Sequence, residues 1–159
     1  MLLQLDIQNV AIIDRVSIEL GKGLNILTGE TGAGKSIIID SINAILGERV
    51  SKELIRTGKD KARIEAVFQV DNSKLSDIFE ELGIEAEEDG TLIISREFTL
   101  QGRNICRING QIATVTMVKK IGERIIDVHG QHDNQSLLRT DSHIRLLDAF
   151  AGERIQMLK

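Results

Sequence analysis

Eight consecutive residues, GETGAGKS at Gly29–Ser36, carry the clearest chemistry in this chain. They match G-x-x-x-x-G-K-[ST], a loop that grips phosphate. Gly29, Gly32 and Gly34 let the backbone turn sharply and approach oxygen atoms that a side chain would hold off. The backbone N–H groups of Glu30, Thr31, Gly32, Ala33, Gly34, Lys35 and Ser36 then point inward around a β-phosphate. Lys35 brings a point charge to the β- and γ-phosphates, and the Ser36 hydroxyl is placed to ligate Mg²⁺. A glycine-rich turn with a chance lysine would explain the residues but not their flanks. An apolar segment, LNIL (Leu24–Leu27), leads in, and SIIIDSINAIL (Ser36–Leu46) leads out as a helix whose free N–H groups and positive dipole end favour an anion. The residues therefore read as a nucleoside triphosphate site.

Phosphoryl transfer needs more: an acid to hold the metal and a group to orient the nucleophile. The acid should end a buried apolar strand. IIID (Ile37–Asp40) lies inside the helix after the loop and runs the wrong way. RIID (Arg124–Asp127) is better placed, yet has only two apolar residues before the acid and no glutamate after it. DVHG (Asp127–Gly130) fits the D-x-x-G turn of GTP switches, but no N-K-x-D is present to read guanine. A small-molecule kinase would want clustered lid arginines; Arg96, Arg103 and Arg107 are candidates, although REFTLQGRNICRI (Arg96–Ile108) reads more naturally as a hairpin. His129, His132, His143, Cys106 and Asp133 fit no zinc spacing.

The elements that must position the loop follow from periodicity. LLQLDIQ (Leu2–Gln8) and RVSIEL (Arg15–Leu20) alternate as half-buried strands and form a hairpin leading to a strand at Leu24–Leu27. ARIEAVFQV (Ala62–Val70) alternates, with Ala62, Ile64, Ala66, Phe68 and Val70 on one face. SKLSDIFEELG (Ser73–Gly83) is a short amphipathic helix, Ser73 placed to cap it and Gly83 to end it. TLIISREF (Thr91–Phe98) and RNICRI (Arg103–Ile108) are strands about a Gln101-Gly102 turn, and Asn109-Gly110 is a second tight turn. TVTMVKKIG (Thr114–Gly122) reads as a helix, RIIDVHG (Arg124–Gly130) as a strand, and DSHIRLLDAFAGERIQMLK (Asp141–Lys159) as a last helix. The whole is an α/β layered domain.

Composition agrees with one cored domain: 159 residues, 42% hydrophobic and 28% charged. No apolar run approaches the ~18 residues of a membrane span, and no basic-then-apolar leader is visible at the N-terminus. A single cysteine, Cys106, suits a reducing cytoplasm and reads as a small core residue. Trp and Tyr are absent, which argues against single-stranded nucleic acid held by base stacking. Between Arg49 and Arg63 lie six basic residues (Arg49, Lys52, Arg56, Lys59, Lys61, Arg63) against Glu53 and Asp60. They suit a phosphate backbone, or simply a solvated loop. The seven acidic residues between Asp77 and Asp89 read as a solvated helix end and turn.

Taken together, LQLDIQNVAIIDRVSIELGKGLNILTGETGAGKSIIIDSINAILGERVSKELIRTG (Leu3–Gly58) and ICRINGQ with VHGQHDNQSLL (Ile105–Gln111, Val128–Leu138) resemble the SMC/ABC-type ATPases, in their branch acting on bacterial DNA double-strand breaks. The resemblance covers nearly the whole chain and implies the N-terminal lobe of a P-loop ATPase head: a β-rich start, the P-loop helix, a mixed sheet and a terminal helix. Residues 1–139 would form the lobe, and 140–159 would begin a coiled-coil arm. The implied ligands are ATP and Mg²⁺, held by Gly29–Ser36, with Lys35 catalytic. Gln131, or failing it Gln135, would be the glutamine that watches the metal and γ-phosphate. Arg56 in LIRTG would lie near nucleotide and DNA, and Asn9–Asp14 near the adenine. The implied partners are a C-terminal lobe of the same protein bearing the metal-binding Asp-Glu, a second head, and DNA. The implied setting is the bacterial cytoplasm at the nucleoid, away from membranes. On this reading the chain is half of a head, binding ATP without hydrolysing it alone. The rivals are a self-contained P-loop phosphotransferase and a nucleotide-dependent assembly module without chemistry.

Overall fold

Six strands form one sheet in the computed structural model, which describes residues 1–29 and 34–128. In chain order the elements are β1 (Leu2–Val10), β2 (Ile13–Glu19), α1 (Lys35–Ile45), a single 3₁₀ turn (Lys52–Leu54), β3 (Lys61–Gln69), α2 (Asn72–Leu82), β4 (Thr91–Thr99), β5 (Asn104–Ile108), β6 (Gln111–Ala113) and α3 (Val115–Ile125). The strand order is β2-β1-β3-β4-β5-β6, and every described pairing is antiparallel.

The alternation read from sequence sets the two faces. Leu5 and Ile7 of β1, Ala62, Ile64, Ala66 and Phe68 of β3, Leu92, Ile94 and Phe98 of β4, and Cys106 and Ile108 of β5 are buried in one core. Ala44 and Ile45 of α1, Leu75, Ile78 and Phe79 of α2, and Val118 and Ile121 of α3 belong to the same core. The opposite parity is polar, as an antiparallel sheet with one solvated face requires: Ser17, Asp6, Glu65, Ser95 and Arg107 stand in a cross-strand row. The Asn109-Gly110 turn joins β5 to β6 with both residues at positive φ (47° and 79°), the backbone a two-residue hairpin demands.

Three expectations are revised. The cap of α2 is Asp71, whose carboxylate accepts from the Ser73 N–H at 3.1 Å and hydroxyl at 2.6 Å; Ser73 is a donor to the cap. These bonds, the hydroxyl's first, hold the Asp71 carboxyl below its ordinary value. Over the described part of the expected strand Arg124–Gly130 no strand is formed: Arg124 and Ile125 complete α3, Ile126–Val128 have no regular structure, and His129 and Gly130 lie outside the described residues. Thr114 caps the start of that helix, its hydroxyl accepting from the Met117 N–H, three residues on, at 3.2 Å. Leu24–Leu27 is not a strand either. Leu24, Ile26 and Leu27 are 86%, 73% and 46% exposed, so nothing described here packs on the segment that feeds the loop. The mixed sheet anticipated from the resemblance depends on that strand finding a parallel neighbour.

Candidate nucleotide site

The phosphate loop is seen at its two ends; Glu30, Thr31, Gly32 and Ala33 lie outside the described residues. Gly34 sits immediately before α1 at φ 105°, a left-handed conformation costly to any residue with a Cβ. It accepts the first bond of the helix, from the Ile38 N–H at 3.1 Å. No side chain caps this helix start, and no acidic residue stands in its first turn. Most helices satisfy their leading N–H groups with a Ser, Asp or Asn. Here the positive end of the dipole is left to an external anion.

The charge is delivered to the same place. The Lys35 ammonium donates to the carbonyl oxygen of Gly29, closing the loop from its last turn to its first glycine. An ammonium has three donors, so this bond leaves two for phosphate oxygens. Ser36 is exposed at the first turn of α1, as a hydroxyl that ligates Mg²⁺ must be. A Cβ built on Gly29 or Gly34 would meet nothing within 4 Å, so open space adjoins the backbone at both ends. An uncapped helix start, one lysine, one hydroxyl and open glycines make a donor set that fits a magnesium–nucleotide complex.

The remaining catalytic parts are not assembled here. Asp40 is exposed on α1, pointing with the helix and not at the end of a strand. Asp127 follows α3 and ends no strand. Among the described residues no group of three or more His, Cys, Asp or Glu side chains is arranged to hold a metal. Gln131 and Gln135, as well as His129, His132, Asp133 and His143, lie outside the described residues.

Arg56 is fastened to the segment Asn9–Asp14. Its backbone N–H donates to Asn9 O at 2.9 Å, and the Ala11 N–H donates to Leu54 O at 2.8 Å. Its guanidinium donates to Ile12 O and lies 3.8 Å from the Asp14 carboxylate. The segments Asn9–Asp14 and Leu54–Arg56 are thus fastened together, with Asn9 and Ala11 both at positive φ (56° and 48°). Lys59 shares Asp14 at 3.7 Å, Lys61 pairs with Glu97 at 2.9 Å and Arg63 with Glu65 at 2.7 Å. Four of the six cations in the basic stretch are therefore balanced by acids, three of them by acids distant in sequence. All these pairs are solvent-exposed, so a polyanion can compete for them at little cost.

Sequence reasoning missed one residue, Arg96. The sequence offers it as a candidate kinase lid arginine, yet it is 2% exposed on the helix-facing side of β4, between Ile94 and Phe98 in the buried parity. Its Nη1 donates to Ala44 O and, at 2.7 Å, to Glu48 O; its Nε donates to Asn104 Oδ1 at 3.1 Å. Burial pulls its pKa down from the ordinary value, though a guanidinium stays charged in proteins. The neighbouring Cys106 thiol is pushed up, by burial first, and is an inert core group. The signal was legible: a charge at an apolar position of an alternating strand must be paired inside.

No helix among the described residues is long and apolar enough to cross a membrane.

Comparison with known proteins agrees with this geometry. The family model described as AAA domain matches residues 4–159. DNA repair protein RecN of Halalkalibacterium halodurans is 45% identical over 157 residues, which cover 98% of this chain and 28% of the relative. RecN of Bacillus subtilis is 40% identical over 157 residues, 98% of this chain and 27% of the relative. The chain spans little more than a quarter of the length of these curated relatives. Among solved structures, a chain from work on ATP-driven dimerization and DNA-stimulated activation of SMC ATPases superposes with a TM-score of 0.67 at 22% identity, covering 92% of this chain and 95% of that one. At that identity the likeness speaks to fold, and the fold is that of the SMC head.

Proposed function

The chain belongs to the AAA domain family, and its length is similar to the N-terminal part of bacterial RecN proteins; on that footing we propose that it is the ATP-binding half of an ATPase head acting in DNA double-strand-break repair and recombination. One observation carries the reading furthest. The phosphate loop is entered from an apolar segment, Leu24–Leu27, that is exposed and joins no strand of the antiparallel sheet among the described residues. A self-contained phosphotransferase would bury that strand in its own sheet. Half of a head leaves it for the other lobe.

ATP and Mg²⁺ would be held by Gly29–Ser36, with Lys35 on the β- and γ-phosphates and Ser36 on the metal. Gln131 would supply the metal-watching glutamine. The acid that anchors Mg²⁺ would come from a C-terminal lobe of the same protein, and full turnover from a second head. Residues 1–139 would form the lobe and 140–159 the root of an arm. DNA would be met through nonspecific backbone contacts, Arg56 and its basic neighbours among them. The setting is the bacterial cytoplasm at the nucleoid.

Phosphate release is the test. This chain alone is expected to bind Mg-ATP with no turnover above a Lys35→Ala control, and to gain turnover when its other lobe is supplied. Lys35-dependent hydrolysis by the chain alone would instead favour the phosphotransferase, with Asp127 the first residue to examine.

The exposed feeder segment gives a second expectation. Unpaired apolar strands invite pairing with another chain. The chain without its other lobe should therefore self-associate at high concentration, and Leu24→Lys with Ile26→Lys should return it to a monomer by light scattering. A wild-type chain that stays monomeric at high concentration counts against the open-edge reading.

A further inference from the structure

We propose that Arg96 is a positioning residue for the nucleotide, acting through α1 to set where Lys35 and Ser36 stand. The inference rests on the nucleotide-binding reading of the loop and concerns the opposite end of the same helix. α1 carries its phosphate donors at its first turn and runs eleven residues, about 16 Å at 1.5 Å per residue, to Ile45. Its core contacts, Ala44 and Ile45 with the partly buried Ile37, Ile38 and Ile42, are apolar, and its one buried polar side chain, Ser41, donates to Ile37 O within the helix itself. Apolar packing is non-directional and resists separation better than sliding or rotation along the sheet. A directional anchor is needed for a helix whose first turn must meet phosphate oxygens to within a fraction of an ångström.

Arg96 supplies it. The helix has no basic residue in its own last turn, so the negative end of its dipole is met by a charge from β4. One nitrogen, Nη1, serves two carbonyls of the helix end and the turn after it, Ala44 O and Glu48 O. The Nε bond to Asn104 Oδ1 fixes the plane of the guanidinium, because Asn104 belongs to β5, paired with β4. No buried polar side-chain atom among the described residues lacks a partner; the network is closed, and α1 is keyed to two neighbouring strands. Lysine keeps the charge here but loses the rigid fork that reaches two strands and a helix at once.

The experiment compares Mg-ATP affinity, by calorimetry on the full-length protein, for Arg96→Met, Arg96→Lys and Asn104→Ala. Leu75→Ala, a core change under α2, serves as a control of comparable stability loss. Misplacement by about 1 Å can cost on the order of a hundredfold at a reacting centre; for binding, a tenfold or greater loss is expected in Arg96→Met. Partial rescue is expected in Arg96→Lys, and affinity within twofold of wild type in Leu75→Ala. Wild-type affinity in a folded Arg96→Met protein, or an equal loss in Leu75→Ala, overturns the proposal. If Arg96→Met does not fold, Asn104→Ala decides: it keeps the buried charge and removes only its orienting acceptor. A fall in affinity supports the proposal, and wild-type affinity overturns it. A wild-type protein that binds no ATP fails the nucleotide reading itself, a result distinct from either.

Discussion

Lys35→Ala is expected to weaken Mg-ATP binding by roughly ten- to a hundredfold and to reduce turnover in the completed head to background. The loss is that of a charge-assisted hydrogen bond of about 1.5–3 kcal/mol, at about 1.4 kcal/mol per factor of ten. Turnover falls further than affinity because charge on the transferred group is stabilised by the same ammonium. The fold should survive: Lys35 lies at the outer end of α1, and its bond to Gly29 is solvent-exposed. Equilibrium titration with a labelled nucleotide, alongside thermal unfolding, separates the two effects. A variant that binds Mg-ATP as tightly as wild type would remove the P-loop assignment, since Lys35 is the only basic residue of the loop and of α1.

What was legible in the sequence, and what was not, divides by the range of the forces. Local signals were read well. Alternation placed β1, β3, β4 and β5, and the residues it put on one face of β3 are the buried ones. Positive-φ turns at Asn109-Gly110 and Gly102, and the end of α2 at Gly83, follow from the steric freedom of those residues. The misses are cases in which a distant partner decides. Leu24–Leu27 has the composition of a buried strand, yet a strand exists only beside a neighbour, and none is described here. RIID at Arg124–Asp127 has the same ambiguity: two isoleucines continue the apolar stripe of α3 as readily as they begin a strand. Asp71 displaced Ser73 as a cap because a carboxylate can take both the hydroxyl and the N–H of the serine.

The site was legible in part for the same reason. A phosphate loop is a local device, a run of glycines, a lysine and a hydroxyl on one helix start, so eight residues announce it. Its supports are non-local. Nothing near Gly29–Ser36 reveals that the far end of α1 is held by an arginine some fifty residues onward, though the parity of β4 marks Arg96 as buried. Likewise the basic stretch Arg49–Arg63 looked like free positive charge until Asp14, Glu65 and Glu97 were folded against it.

Gly47→Ala is expected to be the most damaging small substitution where α1 meets α3, at about 2–5 kcal/mol. Two independent costs add. Gly47 follows α1 at φ 93°, where an L-residue loses roughly 1–2 kcal/mol. A Cβ there would also stand 2.9 Å from the backbone nitrogen of Lys119 and 3.0 Å from its Cα. Backbone inside α3 cannot step aside as a side-chain tip can, so the helix must shift, an overpacking cost of about 1–3 kcal/mol. The shift is opposed from the other side, because Gly122 of α3 lies against Leu46, its added Cβ only 3.1 Å from the Leu46 oxygen. Glu48 and Lys119 bridge the same joint at 3.2 Å. Against a typical domain stability of about 5–15 kcal/mol, the melting temperature should drop on the order of 10 °C. Gly58→Ala isolates the two costs: it has a similar backbone, φ 83°, but nothing within 4 Å of the added Cβ. It should therefore lose only the conformational part. Equal melting temperatures for the two variants would mean that α1 and α3 are not in close contact, and that the P-loop helix is free to move at the end that Arg96 meets.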